Sequence, residues 1–194
     1  MAYYTGYVTL PVTSYESWKN AVVGNGYNFD NTYGCQCYDL AVEFWWNVGF
    51  PQGYPIITNS SAYTMWNNRE ANASYNGMVY FDLIYNLADV KKGDVMVYAG
   101  TTSNPYGHVG FADRDYAGWN TSDYEFPILS QNNGGTPMPQ GGTDTNVHGY
   151  DTRLFLGAFR LKSWHPTPTP ISRKPVTNHF PFFITAERRR NGWF

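Results

Sequence analysis

The chain has 194 residues, of which only 14% are charged and 19% are aromatic, and its formal net charge at pH 7 is −2. Such a length and composition are typical of one folded domain and exclude a disordered chain or a coiled coil. The small net charge argues against a nucleic-acid partner, and no apolar run reaches the roughly 18 residues that a membrane-inserted helix needs.

Three helices are predicted in the first part of the chain. Thr13 and Glu16 have the spacing of a capping box and predict a helix over 14–23. Apolar residues recur with helical spacing over 38–48 and predict the second and best-defined helix. A third helix is predicted over 60–69, where polar residues that cap helices precede apolar ones.

The pattern changes beyond Gly77 to short β-branched or apolar runs between Gly, Pro and Asn, which predict strands. Helices followed by strands indicate an α+β fold, with the helices packed on an antiparallel sheet. The stretch TDTNVHGYD, residues 143–151, is rich in residues typical of a loop. The predicted strands are 78–81, 94–99, 108–112, 127–131 and 153–161.

The end of the chain differs in composition from the rest. Residues 165–175 include four prolines and predict an extended linker after a domain that covers 1–164. The aromatic and basic tail, 176–194, is too short to bury a core of its own. We therefore expect its aromatic side chains to pack on the domain or against a partner; they include Phe180, Phe182, Phe183 and Trp193.

The two cysteines, Cys35 and Cys37, are separated by one residue, a spacing at which a mutual disulfide is strained. Cys37 begins the second predicted helix, where free N–H groups and the helix dipole lower the pKa of a thiol. That position suits a nucleophile, and the alternative is a small buried apolar residue. A redox pair is less favoured because redox motifs usually separate cysteines by two residues.

His108 follows a Pro-Tyr-Gly turn and opens a predicted apolar strand, so its imidazole would lie at a strand end. A cysteine nucleophile needs a histidine that protonates the leaving amine and a polar group that holds the imidazole in its working tautomer. Asn132, just beyond the strand 127–131, is the candidate for that polar group. The alternatives are a structural histidine and an ordinary turn residue.

Three sequence blocks resemble the signature blocks of CHAP domains, which are cysteine- and histidine-dependent amidohydrolases and peptidases of bacterial cell walls. The resemblance extends over about three quarters of the chain, from residue 14 to residue 161. The blocks are GCQCYDLAVEFWW at 34–46, KKGDVMVYAGTTSNPYGHVGFA at 91–112 and ILSQNN at 128–133.

The resemblance implies a papain-like fold and assigns catalytic roles to Cys37, His108 and Asn132. It selects Cys37 over Cys35 because only Cys37 precedes Tyr-Asp-Leu. Relatives among staphylococcal phage lysins usually carry Glu where Ser130 stands here, so Asn132 is expected to take more of the orienting role.

The implied activity is hydrolysis of an amide bond in peptidoglycan, by an endopeptidase or an N-acetylmuramoyl-L-alanine amidase. A thioester would form on Cys37, and backbone N–H groups at the helix start, with Gln36 as a further donor, would stabilise the oxyanion. The first ten residues do not resemble a secretory signal, which favours a phage product.

The short tail of this chain favours a virion-associated lysin of the phage tail, in which the tail segment contacts other virion proteins. The alternatives are an endolysin, which stays in the host cytoplasm until lysis, and a catalytically silent tail component with the same fold. Ser130, in place of the usual Glu, is the feature that keeps the silent alternative open.

The segment YNFDNTYGCQCYD, residues 27–39, resembles a loop that binds calcium in several phage members of the family. Calcium prefers oxygen ligands of this kind, and no organic cofactor is implied. The alternative is that the loop residues make ordinary turn hydrogen bonds and the last one caps the helix. The matching positions are Asn28, Asp30, Thr32, Gly34 and Asp39.

Overall fold

The computed structural model of the protein describes residues 1–49, 61–69, 81–119 and 124–164. Three helices and eight strands are defined in these ranges, and the expected α+β, papain-like arrangement is confirmed. The predicted linker and tail, 165–194, lie outside the described residues. The helices are α1 (Tyr15–Val22), α2 (Cys37–Asn47) and α3 (Thr64–Asn67), and the strands are β1 (Tyr3–Thr5), β2 (Gly26–Asn28), β3 (Phe81–Ile84), β4 (Val95–Tyr98), β5 (His108–Ala112), β6 (Glu125–Ser130), β7 (Asn146–Asp151) and β8 (Phe155–Leu161).

Six of the strands form one sheet in the order β3-β8-β4-β5-β6-β7, and every neighbouring pair is antiparallel. Strands β1 and β2 form a separate parallel pair. The first residue of β5, His108, is paired with Tyr98, the last residue of β4. The centre of the sheet therefore presents His108 at the end of a strand, as the sequence predicts.

Alternate residues of the central strands face two different apolar cores, because successive side chains point to opposite faces of a sheet. The helices pack on one face, where large aromatic side chains fill the space between α1, α2 and the sheet. The helix-side core includes Trp18, Phe44, Trp45, Val95, Val97, Val109, Phe111, Leu129 and Phe159, and the opposite core includes Met96, Tyr98, Ala112, Phe126, Ile128 and Ala158.

Helix α1 begins one residue later than the predicted capping box requires. The box is made by Ser14 and Ser17: the N–H of Ser17 donates to Ser14 Oγ over 3.2 Å, and the N–H of Ser14 donates to Ser17 Oγ over 3.0 Å. The prediction of Thr13 and Glu16 as the box was wrong because Ser14 offers the same oxygen closer to the first helical turn.

Strand β7 corrects the prediction that residues 143–151 form a loop. All six of its residues, Asn146–Asp151, pair with β6. Pairing with a complete neighbouring strand overrides the low strand preference of Asn, Gly and Asp. His148, which the sequence places in a loop, therefore lies on a strand opposite Ile128.

The remaining boundaries agree with the predictions to within a few residues, except that α3 is a single turn and β1 and β2 were not predicted. Of the predicted strand 78–81, the structure describes only Phe81, which opens β3. No helix in the described part of the chain is long and apolar enough to cross a membrane.

A fully buried carboxyl group on α2 holds the N-terminal segment. The N–H of Val8 donates to Glu43 Oε1 over 3.1 Å, and Asn47 Nδ2 donates to the same oxygen over 2.9 Å. Burial is the largest influence on Glu43 and raises the pKa of its carboxyl to about 8. The folded protein therefore keeps this carboxyl protonated at pH values where the unfolded chain has lost the proton.

We expect the Glu43 carboxyl to make stability depend on pH. Its pKa is higher in the folded state, so the free energy of unfolding is largest below the unfolded pKa of 4.5 and falls as the pH rises to about 8. Glu43→Gln keeps an oxygen acceptor for Val8 but does not titrate. Urea denaturation at pH 5 and pH 8 should show a smaller loss of stability in Glu43→Gln than in the wild type, and equal losses would contradict this expectation.

Candidate active site

Cys37 is the first residue of α2 and is half-buried. Its sulfur lies close to backbone N–H groups of Cys37 and Tyr38 at the helix start and of Val109 on β5, which lower the pKa of the thiol. Val109 directly follows His108, so this contact places the thiol against the start of β5. The residues that the sequence selects as nucleophile and base thus lie on two elements, α2 and β5, that meet at this point.

The pKa of the Cys37 thiol moves in the opposite direction from the one predicted. The expected backbone donors are present and lower it, but burial outweighs them, and the pKa rises to about 11. The nearby Asp39 carboxylate also raises it. The thiol is therefore protonated at neutral pH and would have to lose its proton to act as a nucleophile.

His108 is buried, with 3% of its surface exposed, and its Nε2 atom has no hydrogen-bond partner among the described residues. Burial lowers the pKa of the imidazole to about 3, so the ring is neutral at neutral pH. The resting pair is thus a neutral thiol beside a neutral imidazole. A neutral imidazole is the form that accepts a proton from the thiol.

Tyr150 of β7 lies beside both residues and was not predicted from the sequence. Its ring stacks on the imidazole of His108 with a centroid distance of 4.6 Å and an interplanar angle of 12°. The Cys37 sulfur is close enough to raise the pKa of the phenol electrostatically. In the sequence this position is hard to recognise, because Tyr150 lies in a stretch whose composition is typical of a loop. Its pairing with Phe126 across β6 and β7 shows that it belongs to a strand.

Asn132 lies just beyond β6, with φ at +59°, and its amide Nδ2 donates to Gln36 Oε1 over 3.0 Å. Gln36 in turn donates from Nε2 to the carbonyl of Tyr33 over 2.7 Å. Asn132 therefore supports the residue that precedes the nucleophile, and its predicted role in orienting His108 stays a prediction. The same contacts give Gln36 a structural role beside its predicted role as an oxyanion donor.

Gln131 holds the site together and is fully buried. Its Nε2 donates to the carbonyl of Tyr27 over 2.6 Å and to the carbonyl of Gln36 over 2.9 Å. Its Oε1 accepts from the N–H of Tyr27 over 2.8 Å and from the hydroxyl of Thr145 over 3.3 Å. One amide thus joins β2, the residue before α2 and the end of β6, which fixes where Cys37 lies relative to the sheet.

We expect Gln131→Leu to lower the free energy of unfolding by about 2–5 kcal/mol, because it leaves several buried backbone groups without partners. Thermal and urea denaturation would measure the loss. Gln140→Leu is the matched control, since Gln140 is exposed and its side chain accepts a hydrogen bond from Asn28 over 3.2 Å. Equal stability of the two variants would show that the buried amide is not an anchor.

Ser130 is fully buried, and its hydroxyl has no hydrogen-bond partner among the described residues. It lies against Gly110, where an added Cβ would come within 3.0 Å of Ser130 Cβ. A larger side chain at either position would have to displace the other strand. The space between Gly110 and position 130 is therefore filled by a small residue.

The predicted calcium positions form a loop with its own hydrogen bonds. The N–H of Thr32 donates to Asn28 Oδ1 over 3.0 Å and to Asp30 Oδ1 over 2.8 Å, and the N–H of Gln36 donates to Asp39 Oδ2 over 2.8 Å. These are the turn and cap contacts of the alternative interpretation. Gly34 belongs to the same loop, with φ at +74°.

The two carboxyl groups of the loop both have raised pKa values. Burial and the nearby charge of Asp30 raise the pKa of Asp39 to about 8, and burial raises the pKa of Asp30. A bound cation would lower both of these pKa values. No group of three or more His, Cys, Asp or Glu side chains that could hold a metal occurs in the described ranges, so the other ligands would have to be amide, hydroxyl or carbonyl oxygens.

Comparison with known proteins places this site in a family. The model of the CHAP domain matches residues 23–126, a little over half of the chain, and that segment contains Cys37 and His108. The chain belongs to the CHAP domain family. This confirms the resemblance found in its three sequence blocks.

The CHAP domain is similar to two phage proteins. It is 34% identical over 177 residues to the D-alanyl-L-alanine endopeptidase of Streptococcus phage B30, a match that covers 89% of this chain and 35% of the relative. It is 31% identical over 96 residues to endolysin PlyTW of Staphylococcus phage Twort, which covers 48% of this chain and 18% of the relative. The chain thus spans about a third of the first relative and about a fifth of the second.

The fold of the CHAP domain is shared with the crystal structure of the wild-type endolysin LysIME-EF1. The TM-score is 0.52 at 22% sequence identity, over 78% of this chain and 66% of that chain. At this identity the likeness extends to the fold, which agrees with the arrangement of helices and sheet described above.

Two motif residues of the CHAP domain shape the sheet around the site. Asp94 is buried and binds Arg160 through both carboxylate oxygens, at 2.9 Å and 2.7 Å, which ties the start of β4 to β8. Gly107 has φ at +70°, and a Cβ there would collide with the carbonyl of Tyr98. Asp94 thus fixes the start of β4, the strand that pairs with β5, and Gly107 allows the turn that directly precedes His108.

Proposed function

We propose that this CHAP domain hydrolyses an amide bond of peptidoglycan, with Cys37 as the nucleophile and His108 as base and acid. The observation that carries the proposal is the meeting of the Cys37 thiol, at the start of α2, with the start of β5, where Val109 contacts the sulfur and His108 precedes it. Family membership and the phage relatives support peptidoglycan as the substrate.

In the first half of the reaction the thiol proton moves to His108, and the sulfur attacks the carbonyl carbon of the amide. Backbone N–H groups at the start of α2 stabilise the oxyanion. The C–N bond then breaks, His108 gives its proton to the leaving amine, and a thioester remains on Cys37.

In the second half His108 removes a proton from a water molecule, which attacks the thioester. The C–S bond breaks, the acid product leaves, and the sulfur recovers its proton from His108. Neutral starting forms of both groups suit this route, because no charged pair has to be maintained in a buried site before substrate binds.

We propose the bond between D-alanine and L-alanine in cross-linked stems as the one that is cut. The D-alanyl-L-alanine endopeptidase of Streptococcus phage B30 is similar to 89% of this chain, including both catalytic blocks. An N-acetylmuramoyl-L-alanine amidase is the alternative. The two activities differ in whether the stem peptides stay attached to the glycan.

Digestion of purified streptococcal peptidoglycan, followed by mass spectrometry of the soluble fragments, tests the proposal. An endopeptidase opens cross-links and leaves stem peptides on muramic acid, with new D-alanine carboxyl ends. Free stem peptides would indicate the amidase instead. New reducing sugar ends would contradict amide hydrolysis, and a wall left intact by folded protein would favour a silent structural component.

We further propose that the domain acts on the cell wall as part of a phage lysin. The curated relative PlyTW is named an endolysin, which favours release from the host cytoplasm at lysis over virion association. Contact of the tail 176–194 with other virion proteins stays a prediction. Mass spectrometry of purified virions would detect the chain only if it is a virion component.

We propose that calcium binds the loop before α2, through Asn28, Asp30, Thr32, Gly34 and Asp39. The carboxyl groups of Asp30 and Asp39 lie close enough for their charges to repel each other, and a cation between them would relieve that repulsion. Calcium would fix the loop that leads into Cys37, so its role is in stability and positioning. The local hydrogen bonds of the loop are compatible with this role because they leave carbonyl oxygens and a second carboxylate oxygen of Asp39 for the cation.

We expect calcium to raise the melting temperature of chelator-stripped protein, since a ligand that binds only the folded state stabilises it by RT ln(1 + [L]/Kd), about 2.7 kcal/mol at 100 Kd. Asp30→Asn should remove the shift. Asp82→Asn, which changes an exposed carboxylate on β3, is the matched control and should keep it. An unchanged melting temperature of the wild type on addition of calcium would favour the turn interpretation.

A further inference from the structure

Tyr150 contacts the imidazole of the catalytic histidine, and two neighbouring side chains lie against Tyr150 itself. Its ring is nearly parallel to the imidazole of His108, at 4.6 Å and 12°, and Tyr98 packs on it at 4.5 Å. The side chain of Asn104, in the loop that leads to His108, lies near its hydroxyl and lowers the pKa of the phenol. The ring is thus held from two sides while its face covers the imidazole.

Hydrogen bonds contribute little to the position of the His108 imidazole. Its Nε2 has no hydrogen-bond partner in the described part of the chain, and the amide of Asn132 is bonded to Gln36. Burial is the single influence on the pKa of the imidazole, so no neighbouring charge favours the protonated ring. During catalysis this buried ring must nevertheless become an imidazolium for a moment.

We infer that Tyr150 is the positioning residue of His108: its ring fixes the plane of the imidazole by stacking and stabilises the transient imidazolium through its π face. The negative face of an aromatic ring attracts a cation within about 6 Å of its centroid, most strongly where water is excluded. The inference rests on the proposed function, because it assigns His108 the role of base. It predicts that the ring is needed and that the hydroxyl is secondary.

Two variants separate the ring from its hydroxyl. Tyr150→Phe keeps the stack, whereas Tyr150→Leu removes it and keeps an apolar side chain on β7. Tyr85→Leu is the control, because Tyr85 is 58% exposed and packs on Trp66, away from His108. All variants would be compared at equal folded fraction, as judged by near-UV circular dichroism and melting temperature.

The first readout is hydrolysis of soluble peptidoglycan fragments. We expect Tyr150→Leu to lower kcat by about five-fold or more with little change in KM, and Tyr150→Phe and the control to stay within about two-fold of the wild type. A rise in KM with unchanged kcat would contradict a positioning role and would indicate that Tyr150 contacts the substrate.

The second readout needs no peptidoglycan. In a Cys35→Ala background, the rate at which iodoacetamide alkylates Cys37 at neutral pH reports how readily His108 takes the thiol proton. We expect Tyr150→Leu to slow alkylation about as much as His108→Ala does, and Tyr150→Phe to leave it unchanged. Unchanged alkylation and unchanged kcat in Tyr150→Leu would overturn the inference while leaving the proposed function intact. The protein could instead show slower alkylation in Tyr150→Leu and unchanged alkylation in Tyr150→Phe, and yet fail to hydrolyse cell walls. That result would uphold the inference and overturn the proposed function.

Discussion

Cys37→Ala is expected to abolish hydrolysis of cell walls, with a loss of at least about 10³-fold, because removal of a covalent nucleophile leaves only binding and oxyanion stabilisation. The fold should persist, since the side chain is half-buried at a helix start and a methyl group fits the same space. Release of soluble fragments from purified peptidoglycan measures the loss. Circular dichroism establishes that the variant is folded.

Cys35→Ala is the matched control for the nucleophile. Cys35 is fully buried, and its sulfur packs near Gly26 and Met138. Burial raises the pKa of its thiol to about 12. We expect this variant to keep activity with a modest loss of stability. Residual activity above a few per cent in Cys37→Ala, or an inactive but folded Cys35→Ala, would show that the nucleophile is wrongly assigned.

His108→Ala is expected to lower kcat by at least about 100-fold, because one group serves as base for the thiol, acid for the amine and base for water. The effect should be large even at high pH. The Cys37 pKa of about 11 means that the thiol needs a base throughout the physiological range. Initial rates on soluble peptidoglycan fragments would give the loss.

His148→Ala is the control for the histidine. His148 lies on β7 opposite Ile128 and contacts the loop at Gly134 rather than Cys37. We expect it to keep activity at equal folded fraction. A His108→Ala variant within ten-fold of the wild type would contradict the proposed roles, and loss of activity in both variants would point to an effect of β7 geometry instead.

The fold and the positions of the two candidate catalytic residues could be predicted from the sequence because their signals are local. Helical spacing from Tyr38 onward and the Tyr-Gly-His turn place Cys37 at a helix start and His108 at a strand start, and both placements are confirmed. Asp94 was recognised only as part of a sequence motif. The structure shows that its buried carboxylate forms an ion pair with Arg160.

The parts that could not be predicted depend on contacts between distant segments. The pKa of Cys37 was expected to fall because the helix start is visible in the sequence, whereas the burial that raises it comes from the packing of β5 against α2. Tyr150 was missed because β7 becomes a strand only through its pairing with β6. The role of Gln131 as an anchor is visible only when the fold brings Tyr27 and Gln36 to it.

Reversible modification of the nucleophile tests the central claim most directly. In a Cys35→Ala background, methyl methanethiosulfonate would add a methylthio group to the single remaining thiol, and intact-mass spectrometry would give the modified fraction. We predict that peptidoglycan hydrolysis falls in proportion to the fraction of Cys37 that carries the group and returns fully when a reductant removes it. Full activity in protein whose Cys37 is completely modified would contradict the account.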